Sequence, residues 1–468
     1  MDYDLVVIGG GPGGEKAAVA AAFFGKRVAL IEKAEAGPGG AGVHTGTLPS
    51  KTLRETALYL TGFKRRQLYQ SVNFGIPAEG SSAAALMCRL PQVREMQSQQ
   101  ILKNLERHGV ELIQGFGEFT SPHQVRVDSR VLEADHILIA TGSSPRRPDH
   151  FDFDDPEVFD SDSILELSRI PDSLAVIGGG VIGSEYACVF SALGTKIKII
   201  EQRERLLGFL DHEISDALMA AMRAQGIDLY LSDSVESVER KYDDLVLSLR
   251  SGKTRVVDKA LISSGRIGNT QGLGLEQAGV EVDSRGRVLV DEHFRTNVPH
   301  IHAVGDVIGR PALASASMEQ GRMAVAAMFS LDVPGRDFST IPAGIYTIPE
   351  ACSCGPTEEQ LVAQGIPYVV GRSHMRHNAR GQIIGDTDGF LKLLFHAESR
   401  VLLGTHIIAE RATELIHIGQ AVMRLGGGIE YFIESVMSYP SLSVAFKYAA
   451  YDALGHLSGV DRRPAPLD

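Results

Sequence analysis

A repeated glycine pattern constrains the fold more than any other feature of the chain. The string "DLVVIGGGPGGEKAA" near the N-terminus returns as "SLAVIGGGVIGSEYA" from Ser173. Each copy is a short apolar run, a G-x-G-x-x-G turn and a helical, alanine-rich stretch. In both copies a second strand ends in an acid, Glu32 or Glu201, 23 residues after the first glycine. The matched spacing predicts two Rossmann-like units and therefore an α/β fold.

The chemistry of the turn explains the spacing. The first glycine permits a tight turn, the second lets the backbone approach a pyrophosphate, and the third lets helix and strand pack closely. The pyrophosphate then lies at a helix N-terminus, and the acid binds the ribose hydroxyls. Two dinucleotide sites in one chain suggest a flavin and a nicotinamide, because hydride passes between them. We therefore predict FAD and NAD(P) as cofactors.

Three further strands suggest how the chain is divided. They are "HILIATG", "KALISSG" and "HIHAVGD", and from about Ile341 strands and a helix follow without a glycine fingerprint. The chain is predicted to leave the first domain, build the second and return. The predicted limits are 1–150 for the first part of the FAD domain, 151–270 for the NAD(P) domain, 271–338 for the return, 339–457 for a C-terminal α+β domain and 458–468 for a flexible tail. Asp306 in "AVGD" either binds a ribityl or phosphate group or caps the next helix.

Composition argues against several classes of protein. The net charge of −12 argues against nucleic-acid or anionic-membrane partners. The longest apolar run, 17–24, is too short to span a membrane. The N-terminus runs directly into a strand, so we expect no signal peptide and a cytoplasmic protein. The four cysteines form no disulfide framework, the pair in "ACSCG" is expected to be inert, and no metal site is predicted.

The order of motifs resembles the flavoprotein disulfide reductases, the family of dihydrolipoamide dehydrogenase and glutathione reductase. Within it the chain is most similar to the soluble pyridine nucleotide transhydrogenases, through "HTGTLPSK", "FDSDSIL", "RLLGFLD", "GIYTIPE" and "ELIHIGQAVM". The resemblance implies a homodimer with one FAD per subunit and a C-terminal dimerisation domain. It also implies that Lys51 lies near flavin N5 and pairs with Glu185 beside the nicotinamide.

The chain departs from this family at the redox centre. Typical members carry two cysteines where this sequence has Gly42 and Thr47, and neither residue can relay electrons to a disulfide. Tyr439 and Val444 occupy the positions of the family's acid/base His and its orienting Glu. A tyrosine, with its pKa near ~10, is a poor proton shuttle for thiols at neutral pH. We therefore do not expect a disulfide reductase.

Three functional hypotheses follow. The first is hydride transfer from NAD(P)H through the flavin to a second nicotinamide nucleotide. The second is an NAD(P)H:quinone reductase or diaphorase, which is the better interpretation if Glu201 excludes the 2′-phosphate of NADP. Arg203 and Arg205 either neutralise that phosphate or belong to a solvated loop. The third is a non-catalytic flavoprotein or redox-sensing module, although the intact Lys51 and Glu185 count against it.

The candidate site residues fall into two groups. The predicted catalytic residues are Lys51, Glu185 and Tyr439. The predicted cofactor-binding residues are Gly9, Gly11, Pro12, Gly13, Gly14, Glu32, Lys33, Gly39, Gly40, Thr47, Lys51, Ala140, Thr141, Gly142, Gly178, Gly180, Val181, Ile182, Gly183, Glu185, Glu201, Gly265, Arg266, Gly305, Asp306 and Ala314.

Overall fold

The first sheet is assembled from two distant parts of the chain. The computed structural model describes residues 1–62, 82–309, 311–332 and 338–458, so all but the first residue of the predicted tail lies outside it. The elements up to residue 145 are β1 Tyr3–Ile8, α1 Pro12–Phe23, β2 Val28–Glu32, α2 Gly40–His44, α3 Thr47–Thr61, α4 Ala83–Met87, α5 Leu90–Arg107, β3 Glu111–Gln114, β4 Gly117–Ser121, β5 Gln124–Val127, β6 Arg130–Ile139 and β7 Ser143–Pro145.

The second stretch of the chain builds another sheet and then returns. Its elements are β8 Val158–Phe159, a 3₁₀ turn Ser163–Glu166, β9 Ser173–Ile177, α6 Val181–Ala192, β10 Lys196–Glu201, α7 His212–Ala224, β11 Asp228–Leu231, β12 Val235–Lys241, β13 Asp244–Leu249, β14 Thr254–Val257, β15 Lys259–Ile262, β16 Arg266–Gly268, α8 Leu275–Ala278, β17 Ile301–Ala303, a 3₁₀ turn Gly305–Ile308 and α9 Ala314–Met328.

The sheet topology reproduces the predicted departure and return. The first sheet has the order β3-β2-β1-β6-β5-β4, and β17 pairs in parallel with β6. The second has the order β11-β10-β9-β15-β8. Strands β1 and β2 are buried along almost their whole length, as expected of parallel strands covered on both faces. The exact domain limits stay predictions.

The C-terminal region is an antiparallel sheet packed against helices. Its elements are β18 Ala343–Ile345, β19 Glu350–Cys354, α10 Glu358–Gln364, β20 Tyr368–His374, a 3₁₀ turn Met375–His377, α11 Ala379–Ile384, β21 Phe390–His396, β22 Leu402–Ala409, α12 Ala412–Arg424, α13 Ile429–Glu434 and α14 Val444–Leu457. The strand order is β18-β19-β22-β21-β20. Within the described ranges no helix combines the length and apolar character needed to cross a bilayer.

Candidate active site

The two glycine turns have nearly the same geometry. The φ angles of Gly9 and Gly178 are 106° and 107°, a region that favours glycine. A Cβ on Gly14 would lie 1.9 Å from the carbonyl oxygen of Gly9, and one on Gly183 would lie 2.0 Å from that of Gly178. Any side chain at the third glycine would therefore force α1 or α6 away from its strand. The internal repeat is a repeat of structure as well as of sequence.

The two acids that follow the turns are held in the same way. Glu32 Oε2 accepts a hydrogen bond from the N–H of Gly10 at 2.9 Å, and Glu201 Oε2 accepts one from Gly179 at 2.7 Å. The other oxygen of each carboxylate accepts the backbone N–H two residues farther along, at 2.8 Å and 2.9 Å. Backbone donors therefore fix each carboxylate at the mouth of its glycine turn.

A cavity of about 1830 Å³ runs between the first domain, the second domain and the C-terminal region. This volume exceeds that of a typical single-ligand pocket. The predicted site residues that line it are Gly9, Gly11, Pro12, Gly13, Glu32, Lys33, Gly40, Thr47, Lys51, Ala140, Thr141, Gly142, Val181, Ile182, Glu185, Arg266, Gly305, Asp306 and Ala314. Those that do not line it are Gly14, Gly39, Gly178, Gly180, Gly183, Glu201, Gly265 and Tyr439.

An ion pair between two helices lies on the wall of this cavity. Lys51 Nζ, from α3, lies 2.9 Å and 2.7 Å from the two carboxylate oxygens of Glu185, from α6. The Ser50 hydroxyl donates to Glu185 Oε2 at 3.1 Å, and the N–H of Tyr346 donates to Oε1 at 2.9 Å. The side chains of Lys51 and Glu185 are 23% and 5% exposed. The structure thus brings together two residues 134 positions apart that the resemblance paired.

The C-terminal region completes the surroundings of this lysine. The Lys51 ammonium lies 4.8 Å from the centroid of the Tyr346 ring, within the range of a cation–π contact. Carboxylate and ring together stabilise a positive charge that desolvation would otherwise disfavour. The arrangement holds a fixed cation at the cavity, where negative charge that develops on a bound group would be stabilised.

A second polar cluster on the cavity wall is formed by residues at the ends of strands. Ser143 Oγ donates to Asp306 Oδ2 at 2.8 Å, and Arg266 Nε donates to Ser143 Oγ at 2.8 Å. Asp306 does not cap the next helix, because the residue that precedes α9 is Leu313. Asp306 lines the cavity, and its role in binding a ribityl or phosphate group stays a prediction.

The loop that would carry redox cysteines in typical relatives also lines the cavity. Gly42 lies in α2, and Thr47 is the first residue of α3. A Cβ on Gly42 would lie 3.0 Å from Cγ of Pro12, which is a tight contact. Glycine at this position therefore lets the loop pack closely against the first glycine turn. Electrons cannot pass through this loop by thiol chemistry.

The four cysteines lie elsewhere in the chain. Cys188, Cys352 and Cys354 are buried, and Cys88 is exposed. Burial raises the pKa of Cys188 to about 12 and also raises the pKa of Cys352. A thiol with a raised pKa is a poor nucleophile at neutral pH. Cys352 therefore has the properties expected of an inert thiol, and Cys354 is buried as well.

Tyr439 and the two arginines that follow Glu201 also lie outside the cavity lining. Tyr439 is 72% exposed and lies between α13 and α14, so its catalytic role stays a prediction. Arg205 is engaged with Asp216, at 2.7 Å from Nε to Oδ1. The exposed guanidinium of Arg203 has no ion-pair partner in the described part of the chain. Of these two arginines, only Arg205 is paired with a carboxylate among the described residues, so Arg203 is the one available to a phosphate.

Sequence reasoning missed three residues that the site uses. Ser50 and Tyr346 lie inside the quoted motifs and Ser143 directly follows "HILIATG", yet the sequence patterns predict no role for them. Their roles depend on partners far along the chain, such as the 161 positions between Tyr346 and Glu185. The only available signal was their adjacency to selected residues, which does not say where a side chain or an N–H points.

Comparison with known proteins agrees with this architecture. Residues 3–321 match the model of the pyridine nucleotide-disulphide oxidoreductase family, and residues 341–450 match the dimerisation domain of the same family. Proteins named soluble pyridine nucleotide transhydrogenase are similar over almost the full length. That of Mycobacterium bovis BCG is 44% identical, covering 98% of this chain and 99% of its own. That of Pectobacterium atrosepticum is 41% identical, covering 98% of both chains.

Solved structures show the same fold. LpdA from Mycobacterium tuberculosis superposes with a TM-score of 0.88 at 27% identity, over 96% of this chain and 99% of its own. The HOCl-induced flavoprotein disulfide reductase RclA from Escherichia coli gives a TM-score of 0.85 at 28% identity, over 95% and 98%. The predicted α/β architecture with a C-terminal dimerisation domain is confirmed. The chain belongs to the pyridine nucleotide-disulphide oxidoreductase family.

Proposed function

We propose that this protein is an FAD-dependent oxidoreductase that transfers hydride from one reduced nicotinamide nucleotide to the other in its oxidised form. The donor and acceptor are NADH and NADP⁺, or NADPH and NAD⁺. The observation that carries the proposal is the full-length similarity to soluble pyridine nucleotide transhydrogenases. The Lys51–Glu185 pair at the cavity and the loop without cysteines agree with it. An intact cation at this position also counts against a non-catalytic flavoprotein.

The first glycine turn fits the pyrophosphate of FAD. The N-terminus of α1 has no side-chain cap, and a Cβ on Gly40 would lie 2.9 Å from Cα of Gly11. Two glycine segments therefore touch without side chains and leave the N–H groups of α1 open to an anion. Gly11, Pro12 and Glu32 would hold the adenosine diphosphate half, and Asp306 the ribityl chain.

The second turn fits a nicotinamide nucleotide by the same argument. The N-terminus of α6 also has no side-chain cap, and a Cβ on Gly180 would meet no atom within 4 Å. The open space lets the backbone approach a pyrophosphate. Val181 and Ile182 continue from this turn into the main cavity, where their apolar side chains help to exclude water from the reacting atoms.

The protein contributes positioning and charge to the reaction. When bound, FAD supplies hydride acceptance and donation at its ring system. Lys51 holds a positive charge that favours the electron-rich form of a bound group, and Glu185 fixes the position of that charge. Because the loop holds no thiols, an oxidant must reach the cavity itself. The two nucleotides are then expected to bind in turn, with ping-pong kinetics.

Selection between NADH and NADPH depends on the residues around Glu201. Its carboxylate repels a 2′-phosphate, whereas the exposed guanidinium of Arg203 can attract one. The engagement of Arg205 with Asp216 favours the second candidate function, an NADH:quinone reductase or diaphorase. If the arginine contacts are too weak to admit NADPH, that second function is the correct one.

Anaerobic stopped-flow reduction by NADH and by NADPH, followed by thio-NAD, a quinone or lipoamide as oxidant, separates the candidates. Transhydrogenase activity requires flavin reduction by both nucleotides and rapid reoxidation by thio-NAD. Fast quinone turnover without reduction by NADPH would replace the proposal with the diaphorase. Rapid reoxidation by lipoamide would contradict the argument from Gly42 and Thr47.

The arginines provide a matched pair of variants. Arg203→Ala is expected to raise KM for NADPH by about tenfold and to leave KM for NADH nearly unchanged, because a charge-assisted contact contributes roughly 1.5 kcal/mol or more. Arg205→Ala removes an arginine that Asp216 already engages and should have the smaller effect. Equal effects of the two variants on NADPH would contradict this assignment.

We also propose a cytoplasmic homodimer. The match of residues 341–450 to a dimerisation domain supports the dimer. The C-terminal region exposes Tyr439, Tyr448 and Tyr451 at 72%, 52% and 45%. Sedimentation of the FAD-loaded protein at a concentration far above the dimer Kd tests this. A single species of monomer mass would overturn it.

A further inference from the structure

The segment 202–211, here called the nucleotide loop, follows directly after Glu201. Its middle rests on the second glycine turn, where the N–H of Leu207 donates to the carbonyl of Gly179 at 3.2 Å. A Cβ on Gly179 would lie 2.2 Å from Cδ2 of Leu206, so the loop packs directly against the backbone of the turn. Leu206 and Leu207 are buried, and Ser215 Oγ donates to the carbonyl of Leu206 at 2.6 Å.

The end of the nucleotide loop is fixed by a buried carboxylate. Asp211 is fully buried, and its Oδ1 accepts the N–H of Glu213 at 3.1 Å, which caps α7. Its Oδ2 accepts the N–H of Glu358 at 3.2 Å from the C-terminal region. Lys392 Nζ donates to both oxygens, at 3.0 Å and 2.9 Å. One side chain therefore joins the loop, a helix of the second domain and the C-terminal region.

Lys392 lies in the middle of β21 and is 0% exposed. Besides Asp211 it contacts the carboxylates of Glu213, at 2.6 Å, and Glu358. Burial lowers the pKa of this ammonium, but its hydrogen bonds to Glu213, Glu358 and Asp211 outweigh that effect and raise the pKa above its ordinary value. Lys392 therefore stays charged at neutral pH.

A fully buried ammonium is costly to desolvate, so its partners must be held in place. Because Asp211 is held in this way, the position of the whole nucleotide loop is restrained, since the loop has only ten residues between Glu201 and α7. Those residues include Arg203, and they include Phe209, which lines the main cavity. A shift of Asp211 would therefore move the side chains that face the second nucleotide.

We propose that Lys392 is a positioning residue for the nicotinamide nucleotide site, through which the C-terminal region sets the conformation of the nucleotide loop. The inference rests on the proposed function, because it assigns the second glycine turn to that nucleotide. Lys392 touches neither the glycine turn nor the main cavity, and it acts through Asp211.

The test uses two variants and one matched control. Lys392→Met keeps the length of the side chain and removes its charge. Asp211→Asn weakens the same contact and keeps the helix cap, because asparagine is a good N-cap residue. The control is Lys259→Met, which removes a buried lysine in the second domain from its pair with Glu157 and leaves the nucleotide loop untouched.

Binding of NAD⁺ and of NADP⁺ to the oxidised, FAD-loaded protein is measured by calorimetry, with FAD content and thermal midpoint recorded for each variant. We expect Kd to rise about tenfold for both nucleotides in Lys392→Met and by a smaller factor in Asp211→Asn, with bound FAD retained. Lys259→Met should lower the thermal midpoint and leave both Kd values within about twofold.

The outcomes separate the inference from the proposed function. If the unmodified protein binds neither nucleotide, the proposed function fails and the inference fails with it. If the unmodified protein binds them and Asp211→Asn or a folded Lys392→Met binds them equally well, the inference alone is overturned. A Kd increase of the same size in Lys259→Met would reduce Lys392 to a general stabilising residue and would also overturn it.

Discussion

Replacement of Glu185 by glutamine tests the role of the buried pair most directly. The carboxylate accepts two contacts from Lys51, one from the Ser50 hydroxyl and one from the N–H of Tyr346. A glutamine side chain offers one acceptor oxygen and one donor NH₂ group. In Glu185→Gln the Lys51 ammonium therefore keeps only one of its two acceptor oxygens, and the new NH₂ group faces either the N–H of Tyr346 or the Ser50 hydroxyl. The volume of the side chain is almost unchanged, so packing should survive.

The size of the effect follows from the lost contact. A hydrogen bond to a charged group contributes about 1.5–3 kcal/mol. Each tenfold change in rate corresponds to about 1.4 kcal/mol in the activation free energy. If the lost hydrogen bond stabilises the transition state, flavin reduction should slow by roughly 10- to 150-fold. The 23% exposure of Lys51 allows water to replace part of the contact and favours the lower half of this range.

The assay is anaerobic flavin reduction by NADH, followed through the loss of visible flavin absorption. Glu15→Gln is the control, because Glu15 pairs with Lys16 at 2.8 Å and the two side chains are 3% and 27% exposed. That pair matches the Glu185–Lys51 pair in distance and burial but does not line the cavity. Glu15→Gln should change stability and leave the reduction rate within about twofold. Flavin reduction at the unmodified rate in FAD-loaded Glu185→Gln would refute the proposed role of the pair.

Three further predictions address the turn, the aromatic contact and pH. Gly178→Ala would place a Cβ 2.6 Å from the Ser263 carbonyl oxygen at a φ of 107°. This variant should have a lower thermal midpoint and a lower affinity for NAD⁺ and should keep its FAD content. Loss of FAD would contradict the assignment of the two turns. Tyr346→Leu should slow flavin reduction by several-fold and Tyr346→Phe should not, because only the first variant removes the ring beside the Lys51 ammonium. That cation–π contact contributes about 0.5–2 kcal/mol. Equal rates in the two variants would exclude a role for the contact. Burial lowers the pKa of His302 from 6.5 to about 4, so the unfolded chain takes up a proton at a higher pH than the folded chain does. His302 should therefore remove about 3 kcal/mol from the free energy of unfolding as the pH falls from 6.5 to 4. Denaturation curves of His302→Leu should show a smaller loss over that interval, and an identical loss would show that His302 does not contribute.

The sequence by itself determined the two glycine turns. Their glycines are required by local geometry, since a Cβ at the third position would lie about 2 Å from the carbonyl oxygen of the first. Such a requirement is expressed within a few residues, so it leaves a readable pattern. The equal spacing of 23 residues from each first glycine to Glu32 or Glu201 is also visible in the sequence alone. The absence of cysteines at Gly42 and Thr47 is likewise a property of the sequence alone.

Only the tertiary structure decided which distant groups meet. Tyr346 contributes its N–H to Glu185 and its ring to Lys51, yet its string "GIYTIPE" reads as an ordinary strand. Lys392 occurs in an apolar strand, where its burial at 0% against Asp211 could not be inferred from periodicity. Both contacts join segments more than a hundred residues apart, and no local rule encodes such a partner. The sequence determined the two glycine turns that we propose as nucleotide sites, whereas packing between domains decided how the charges beside the cavity are held.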